Sequence, residues 1–255
     1  MRRVVVKVGS AVLTEGDSIA QKRMIALVEF LVELRENNEV LLVSSGAVAA
    51  GYTKVQLDRS ILKNKQALAS IGQPVLMHKY AKEFQKHNII TSQVLVTAAN
   101  LNKDEDIKKI KNTVDTLLES DVIPIVNEND ATATQELVVG DNDQLSAYMT
   151  KHTNSDILII LSDIDAYYDE DPHKNPNAKV QKVVKEIDEC ALSREATPHG
   201  TFATGGIVTK LKAASYLLES GIDMFLASGF DLSDAKSYML DGKHRGGTLF
   251  SKGEV

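Results

Sequence analysis

A mostly parallel β-sheet with helices on both faces is the architecture this sequence predicts, and three observations predict it. Short runs of β-branched and aliphatic residues, at 4–8, 40–43, 122–126 and 157–161, have the near-continuous apolar character of strands buried on both sides. Between them lie longer stretches whose apolar residues recur every three or four positions, as on one face of a helix. The two kinds of segment alternate along the chain, the order of strand–helix–strand crossovers rather than of hairpins. A length of 255 residues, 43% of them hydrophobic, suits one large α/β domain or two small ones. The chain is read as a single domain over 1–255.

The first strand carries Lys7 close to its end and breaks at Gly9-Ser10. A charge does not belong inside a strand buried on both faces, so Lys7 is expected where the strand emerges at the carboxyl edge of the sheet. Open α/β sheets bind ligands at that edge, and Gly9 lets the backbone come close to whatever Lys7 holds. The plainer alternative is a lysine that snorkels to solvent from the end of an edge strand. Met24, Leu27, Val28, Leu31 and Leu34 fall at helical spacing, with Asn37-Asn38 as a stop. The strand at 40–43 runs into Ser44-Ser45-Gly46-Ala47, whose small residues let a helix start close to an anion. Gly46 and Gly51 have P-loop spacing, but Tyr52 stands where that motif needs its Lys, which excludes it.

Residues 59–87 read as a long helical region interrupted or kinked at Gly72 and Pro74. A strand follows at 89–96, a polar turn at Asn100-Leu101-Asn102, a helix at 104–119, and the strand at 122–126, where Pro124 removes a ladder donor. The second half repeats the rhythm with a strand at 157–161, a helix at 206–219 and a strand at 222–227. A helix at 232–240 and a strand at 247–250 close the chain. An Asp-, Asn- and Pro-rich irregular surface loop is expected at 167–178.

Twenty-nine Lys and Arg against 35 Asp and Glu leave a net charge of −6, the wrong sign for coating nucleic acid or an anionic membrane. The single cysteine, Cys190, allows no internal disulfide and reads as a small buried or half-buried side chain. No signal segment or 18-residue apolar run appears, so a cytoplasmic protein is expected.

Four polar clusters fall at strand ends or helix starts: Lys7-Val8-Gly9-Ser10, Ser44-Ser45-Gly46, the pair Asn127-Glu128-Asn129-Asp130 and Gly140-Asp141-Asn142-Asp143, and Thr204-Gly205-Gly206-Ile207-Val208-Thr209-Lys210. Asn and Asp groups of this kind are also ordinary turns and N-caps, and Lys210 can be a solvent-facing helical lysine. Ser162-Asp163, ending the strand at 157–161, can approach nucleotide phosphates or their magnesium ion, or can start a turn. There is no Ser-His-Asp spacing, no zinc spacing and no G-x-G-x-x-G. Two lysines with glycine-rich turns point to phosphoryl transfer, where positioning and charge neutralisation do most of the work. A carboxylate acceptor, with a pKa of about 4.3, needs no general base at neutral pH.

With these segments the chain resembles the amino acid kinase family over essentially its whole length, and within it the glutamate 5-kinases. The carriers are Val5-Val6-Lys7-Val8-Gly9-Ser10, Ser44-Ser45-Gly46-Ala47, Asn127-Glu128-Asn129-Asp130-Ala131, Gly140-Asp141-Asn142-Asp143 and Thr204-Gly205-Gly206 through Thr209-Lys210. The Asn-Glu-Asn-Asp and Gly-Asp-Asn-Asp segments select this branch over acetylglutamate kinase, aspartokinase and uridylate kinase. The resemblance implies a three-layer αβα sandwich, the N-terminal part holding glutamate and the C-terminal part ATP with Mg²⁺. It implies that Lys7 and Lys210 stabilise the transferring phosphoryl group and that Asp143 orients both. Ser45, Asn127, Asp130, Asp141 and Asn142 would hold L-glutamate. Gly9, Ser162, Asp163 and residues 204–210 (Thr204, Gly205, Gly206, Ile207, Val208, Thr209, Lys210) would contact ATP. It also implies a homo-oligomer, proline as feedback inhibitor, and a labile product passed to a reductase, glutamate-5-semialdehyde dehydrogenase. The PUA domain that many bacterial relatives carry is expected to be absent. The alternative from another class is a catalytically silent amino-acid or nucleotide sensor.

Overall fold

The computed structural model describes residues 1–16, 18–132, 142–172, 174–192 and 206–253. In the first half, β1 (Arg2–Val8) leads through α1 (Ser10–Leu13) and a small hairpin of β2 (Thr14–Glu15) and β3 (Ser18–Ile19) into α2 (Gln21–Arg35) and β4 (Asn38–Ser44). Then come α3 (Ala47–Tyr52), α4 (Leu62–Gln85), β5 (Thr91–Val96), α5 (Ala98–Leu101), α6 (Asp104–Glu119) and β6 (Ile123–Glu128). The second half adds α7 (Asn142–His152), β7 (Ile157–Ser162), β8 (Val183–Val184), α8 (Glu189–Leu192), α9 (Gly206–Glu219), β9 (Asp223–Ser228), α10 (Ser233–Met239) and β10 (Thr248–Phe250). Among the described residues the main sheet runs β5-β6-β4-β1-β7-β9-β10-β8. Its pairs are parallel except β9 with β10.

Strand alternation sorts the core into two layers. Val4, Val6 and Val8 pack with Met24 and Leu31 of α2, Leu76 and Tyr80 of α4 and Ala235 of α10. Val5 packs on the opposite face with Val114 of α6, Leu145 and Met149 of α7, and Leu211 and Leu217 of α9. The sheet therefore has helices on both faces, the three-layer αβα arrangement. Lys7 takes the Val5 face and points into the layer of α7 and α9.

Lys7 lies next to the carboxyl end of β1, at the sheet edge the sequence pointed to, but its side chain does not reach solvent. It sits within the ladder of β1, paired with Val43 and Ile160, and its side chain is 3% exposed. Because β1 is central in the sheet, the snorkelling alternative fails.

The expected interruption of the long helix also fails: α4 runs unbroken through Gly72 and Pro74. Gly72 serves close approach instead. A Cβ there would lie 1.8 Å from the Ala47 carbonyl oxygen, and one at Gly51 would lie 1.9 Å from that of Leu68, so α3 and α4 cross backbone against backbone. The small residues after β4 are thus used for helix packing, with Gly46 at φ 104° turning the chain into α3. Pro124 sits in an interior strand without loss. The Ile123 N–H donates to Ile90 on the β5 side, which turns the Pro124 nitrogen to the β4 side, where the ladder starts one residue later. The expected polar turn at Asn100-Leu101-Asn102 is largely α5, closed by a reciprocal capping box between Thr97 and Asn100. No helix among the described residues is long and apolar enough to cross a membrane.

Candidate active site

Three buried charges meet at the carboxyl edge of β1. Asp143, in the first turn of α7 and fully buried, receives Lys7 Nζ on Oδ1 at 2.6 Å and Lys210 Nζ on Oδ2 at 3.1 Å. Lys210, on α9, is only 4% exposed, which excludes its reading as a solvent-facing lysine. Its ammonium also donates to the Gly206 carbonyl at 2.8 Å, and Thr209 Oγ1 donates to Asp143 Oδ2 at 2.9 Å. Burial alone would raise the Asp143 carboxyl. The attraction of Lys7, then of Lys210, with their hydrogen bonds, overrides it and holds the group well below the usual carboxylate range. Asp143 is therefore an ionised acceptor that aims two ammonium groups, and the three side chains sum to +1.

Gly9 lies beside this cluster. Its N–H donates to the Leu161 carbonyl at 3.0 Å, and its φ of −73° is ordinary for any residue. A Cβ at Gly9 would make only ordinary contact with the protein but would stand 3.9 Å from Lys7 Nζ, so glycine keeps the space next to the ammonium clear. Ser162 and Asp163 end β7, the neighbouring strand. Ser162 Oγ donates to Asp163 Oδ1 at 2.8 Å, and the Ser162 carbonyl accepts the Gly229 N–H. The first turn of α9 supplies Gly206, Ile207, Val208 and Thr209, all half-buried.

One residue before Asp143, Asn142 joins a second cluster. Asn142 Nδ2 donates to Ser45 Oγ at 2.8 Å and to Asn127 Oδ1 at 3.0 Å, and Asn127 Oδ1 also accepts the Glu128 N–H. Asn127 Nδ2 donates in turn to Gln73 Oε1 at 2.9 Å. Beyond Gln73 opens a cleft of about 220 Å³ lined by Ser70, Gln93, Glu128, Asn129 and Asp130, among others. No cation or donor among the described residues meets the Asp130 carboxyl, and burial pushes its pKa up.

The structure thus joins Lys7, Asp143, Lys210 and Thr209 in one cluster and Ser45, Asn127 and Asn142 in another, with Asp130 apart in the cleft. Gly140, Asp141, Thr204 and Gly205, and the side chain of Cys190, lie outside the described residues. Gln73 and Gln93 were not picked out from the sequence. The one signal was a glutamine set between Gly72 and Pro74 inside a helix, where it reads as surface polarity.

The sequence profile of the amino acid kinase family matches residues 2–228. A glutamate 5-kinase of Leishmania donovani is 52% identical over 98% of this chain and 95% of its own length. One from Wolinella succinogenes is 48% identical over 99% of each. Among solved structures, the carbamate kinase of Giardia lamblia bound to AMP-PNP superposes with a TM-score of 0.67 at 16% identity, covering 98% of each chain, a likeness of fold alone. By sequence, with a fold in agreement, this chain belongs to the amino acid kinase family.

Proposed function

We propose that the protein transfers the γ-phosphoryl group of ATP to the side-chain carboxylate of L-glutamate, giving L-glutamyl 5-phosphate and ADP, the first step of proline synthesis. The observation that carries this reading is the head of α7. Asn142 belongs to the amide cluster beside the cleft and Asp143 holds both lysines, so one helix start would join an amino-acid site to a phosphoryl site. The named relatives supply the substrate.

The chemistry follows from charge. The acceptor carboxylate is already ionised at neutral pH, so no general base is required. The obstacle is bringing one anion against another, and Lys7 and Lys210 relieve it by sharing the charge of the transferring group. Asp143, ionised and occupied by both ammonium groups, positions them and takes no proton. Asp130, in need of a cation, would receive the substrate's ammonium, and Ser45, Asn127, Asp141 and Asn142 would complete the amino-acid site. Gly9, Ser162 and residues 204–210 would line the nucleotide. Magnesium arriving with ATP would neutralise phosphate charge. It would be held mainly by phosphate and water, and Asp163, exposed just past the end of β7, would have room to add a carboxylate oxygen. Inhibition by proline at the amino-acid site, delivery of the acyl phosphate to a reductase, a cytoplasmic location and a homo-oligomeric state belong to the same proposal.

The test is ATP-dependent hydroxamate formation with L-glutamate, N-acetyl-L-glutamate and L-aspartate compared in the presence of Mg²⁺ and hydroxylamine. Product from glutamate alone is expected. Product from another acid would overturn the specificity, and none from folded, ATP-binding protein would leave a ligand sensor.

A further inference from the structure

Side-chain amides form a relay that runs inward from the cleft wall, where Gln73 and Gln93 lie, and that phosphoryl transfer itself does not require. Gln73 Nε2 donates to Gln93 Oε1 at 3.1 Å, and Gln73 Oε1 accepts Asn127 Nδ2 at 2.9 Å. Asn127 Oδ1 accepts the Glu128 N–H at 2.9 Å and Asn142 Nδ2 at 3.0 Å, and Asn142 Nδ2 continues to Ser45 Oγ. The relay therefore runs from β5 through α4 and β6 to the head of α7. Each amide is oriented by the next. Turned over, Asn127 would face its NH2 group toward the Glu128 N–H and the Asn142 NH2, donor against donor, while its carbonyl would face the Gln73 carbonyl. Gln73 is 7% exposed, leaving water little access to take its place. With the Asn142 N–H groups engaged, its Oδ1 is buried and meets no donor among the described residues. The relay holds that acceptor one residue from the carboxylate that aims both lysines. The contact of Gly72 with the Ala47 carbonyl fixes the height at which Gln73 enters.

We infer that Gln73 is a positioning residue for the acceptor substrate, acting through the amide orientation of Asn127 and Asn142 and touching neither lysine. This rests on the reading of the adjoining cleft as the amino-acid site. Gln73→Leu keeps the approximate volume and removes both hydrogen bonds. Gln73→Glu keeps an acceptor for Asn127 while Gln93 can turn its NH2 group toward the new carboxylate. The expected result is a glutamate KM raised tenfold or more in Gln73→Leu with the ATP KM within twofold, largely recovered in Gln73→Glu. Gln93→Leu, nearer the sheet edge, should shift the glutamate KM in the same direction by a smaller factor, and it decides the matter if Gln73→Leu does not fold. An unchanged glutamate KM, or equal rises in both KM values, in a folded variant would overturn the inference. Wild-type protein assayed in parallel separates this from the substrate reading. If it forms no glutamyl hydroxamate, the relay is judged by exchange of the Asn127 and Asn142 side-chain amide protons. Gln73→Leu should speed that exchange tenfold or more, and unchanged exchange would overturn the inference.

Discussion

Two ammonium groups can share one buried carboxylate only if the site tolerates an excess positive charge, and in the proposed reaction an incoming phosphoryl group would answer that excess. Substituting Lys210 by Ala should therefore lower turnover about 10²- to 10³-fold, the size of losing one preorganised charge-stabilising group, while glutamate binding measured by calorimetry stays nearly intact. Unchanged turnover would remove Lys210 from the chemistry. Asp130 presents the opposite case, a carboxyl whose burial pushes its pKa up for want of a cation. An ammonium binding there favours the charged form, so glutamate binding at acid pH should release a fraction of a proton. Titration calorimetry in two buffers of different ionisation heat reads that fraction directly. It should shrink as pH rises and be lost in Asp130→Asn. The lysines could be found in the sequence because a cation in an apolar strand, or after a glycine pair, demands a partner. Gln73 could not, because a neutral amide in a helix is ordinary on a surface and only the fold buries it.

At the scale of elements, α3 and α4 lie so close that neither Gly51 nor Gly72 can carry a Cβ without backbone displacement. Gly72→Ala should cost at least the 1–3 kcal/mol typical of overpacking, seen as a lower urea midpoint with an unchanged slope. A Cβ at Gly206, at the head of α9, meets nothing within 4 Å among the described residues. Gly206→Ala should accordingly leave the unfolding free energy from urea titration within about 0.5 kcal/mol of wild type and raise the KM for ATP, because the space it fills is the space proposed for phosphate. A stability loss at Gly206 equal to that at Gly72 would contradict this division of labour. Periodicity revealed the long strands and helices because burial on one or both faces writes itself into spacing. It did not reveal whether Gly72 and Pro74 break a helix. That depends on what presses against the glycine, and the partner, Ala47, lies far away in sequence.

For the molecule as a whole, β1, α7 and α9 are pinned together by Lys7, Asp143 and Lys210, and the pin titrates. The alternation of strands and helices made the layered sheet legible in advance. The register that sets Lys7 on the same face as α7 and α9 emerges only once β1 takes the centre of the sheet between β4 and β7. In the unfolded chain the Asp143 carboxyl returns to its ordinary pKa of about 3.9, whereas in the folded protein it is held well below that value. As pH falls through 4, the unfolded state takes up this proton first. The stabilisation is thus complete above that pH and is lost as pH drops toward the depressed folded value. Asp143→Asn leaves two buried ammonium groups facing a neutral amide and should cost about 3–5 kcal/mol at pH 7, the range for breaking a buried ion pair from one side. Because the variant has no carboxyl to protonate, its deficit should shrink between pH 4 and pH 3, while other carboxylates weaken both proteins alike. Urea midpoints at pH 7, 4 and 3 for the two proteins measure this convergence. Parallel curves with a constant gap would mean that the cluster stabilises through packing rather than through its charge.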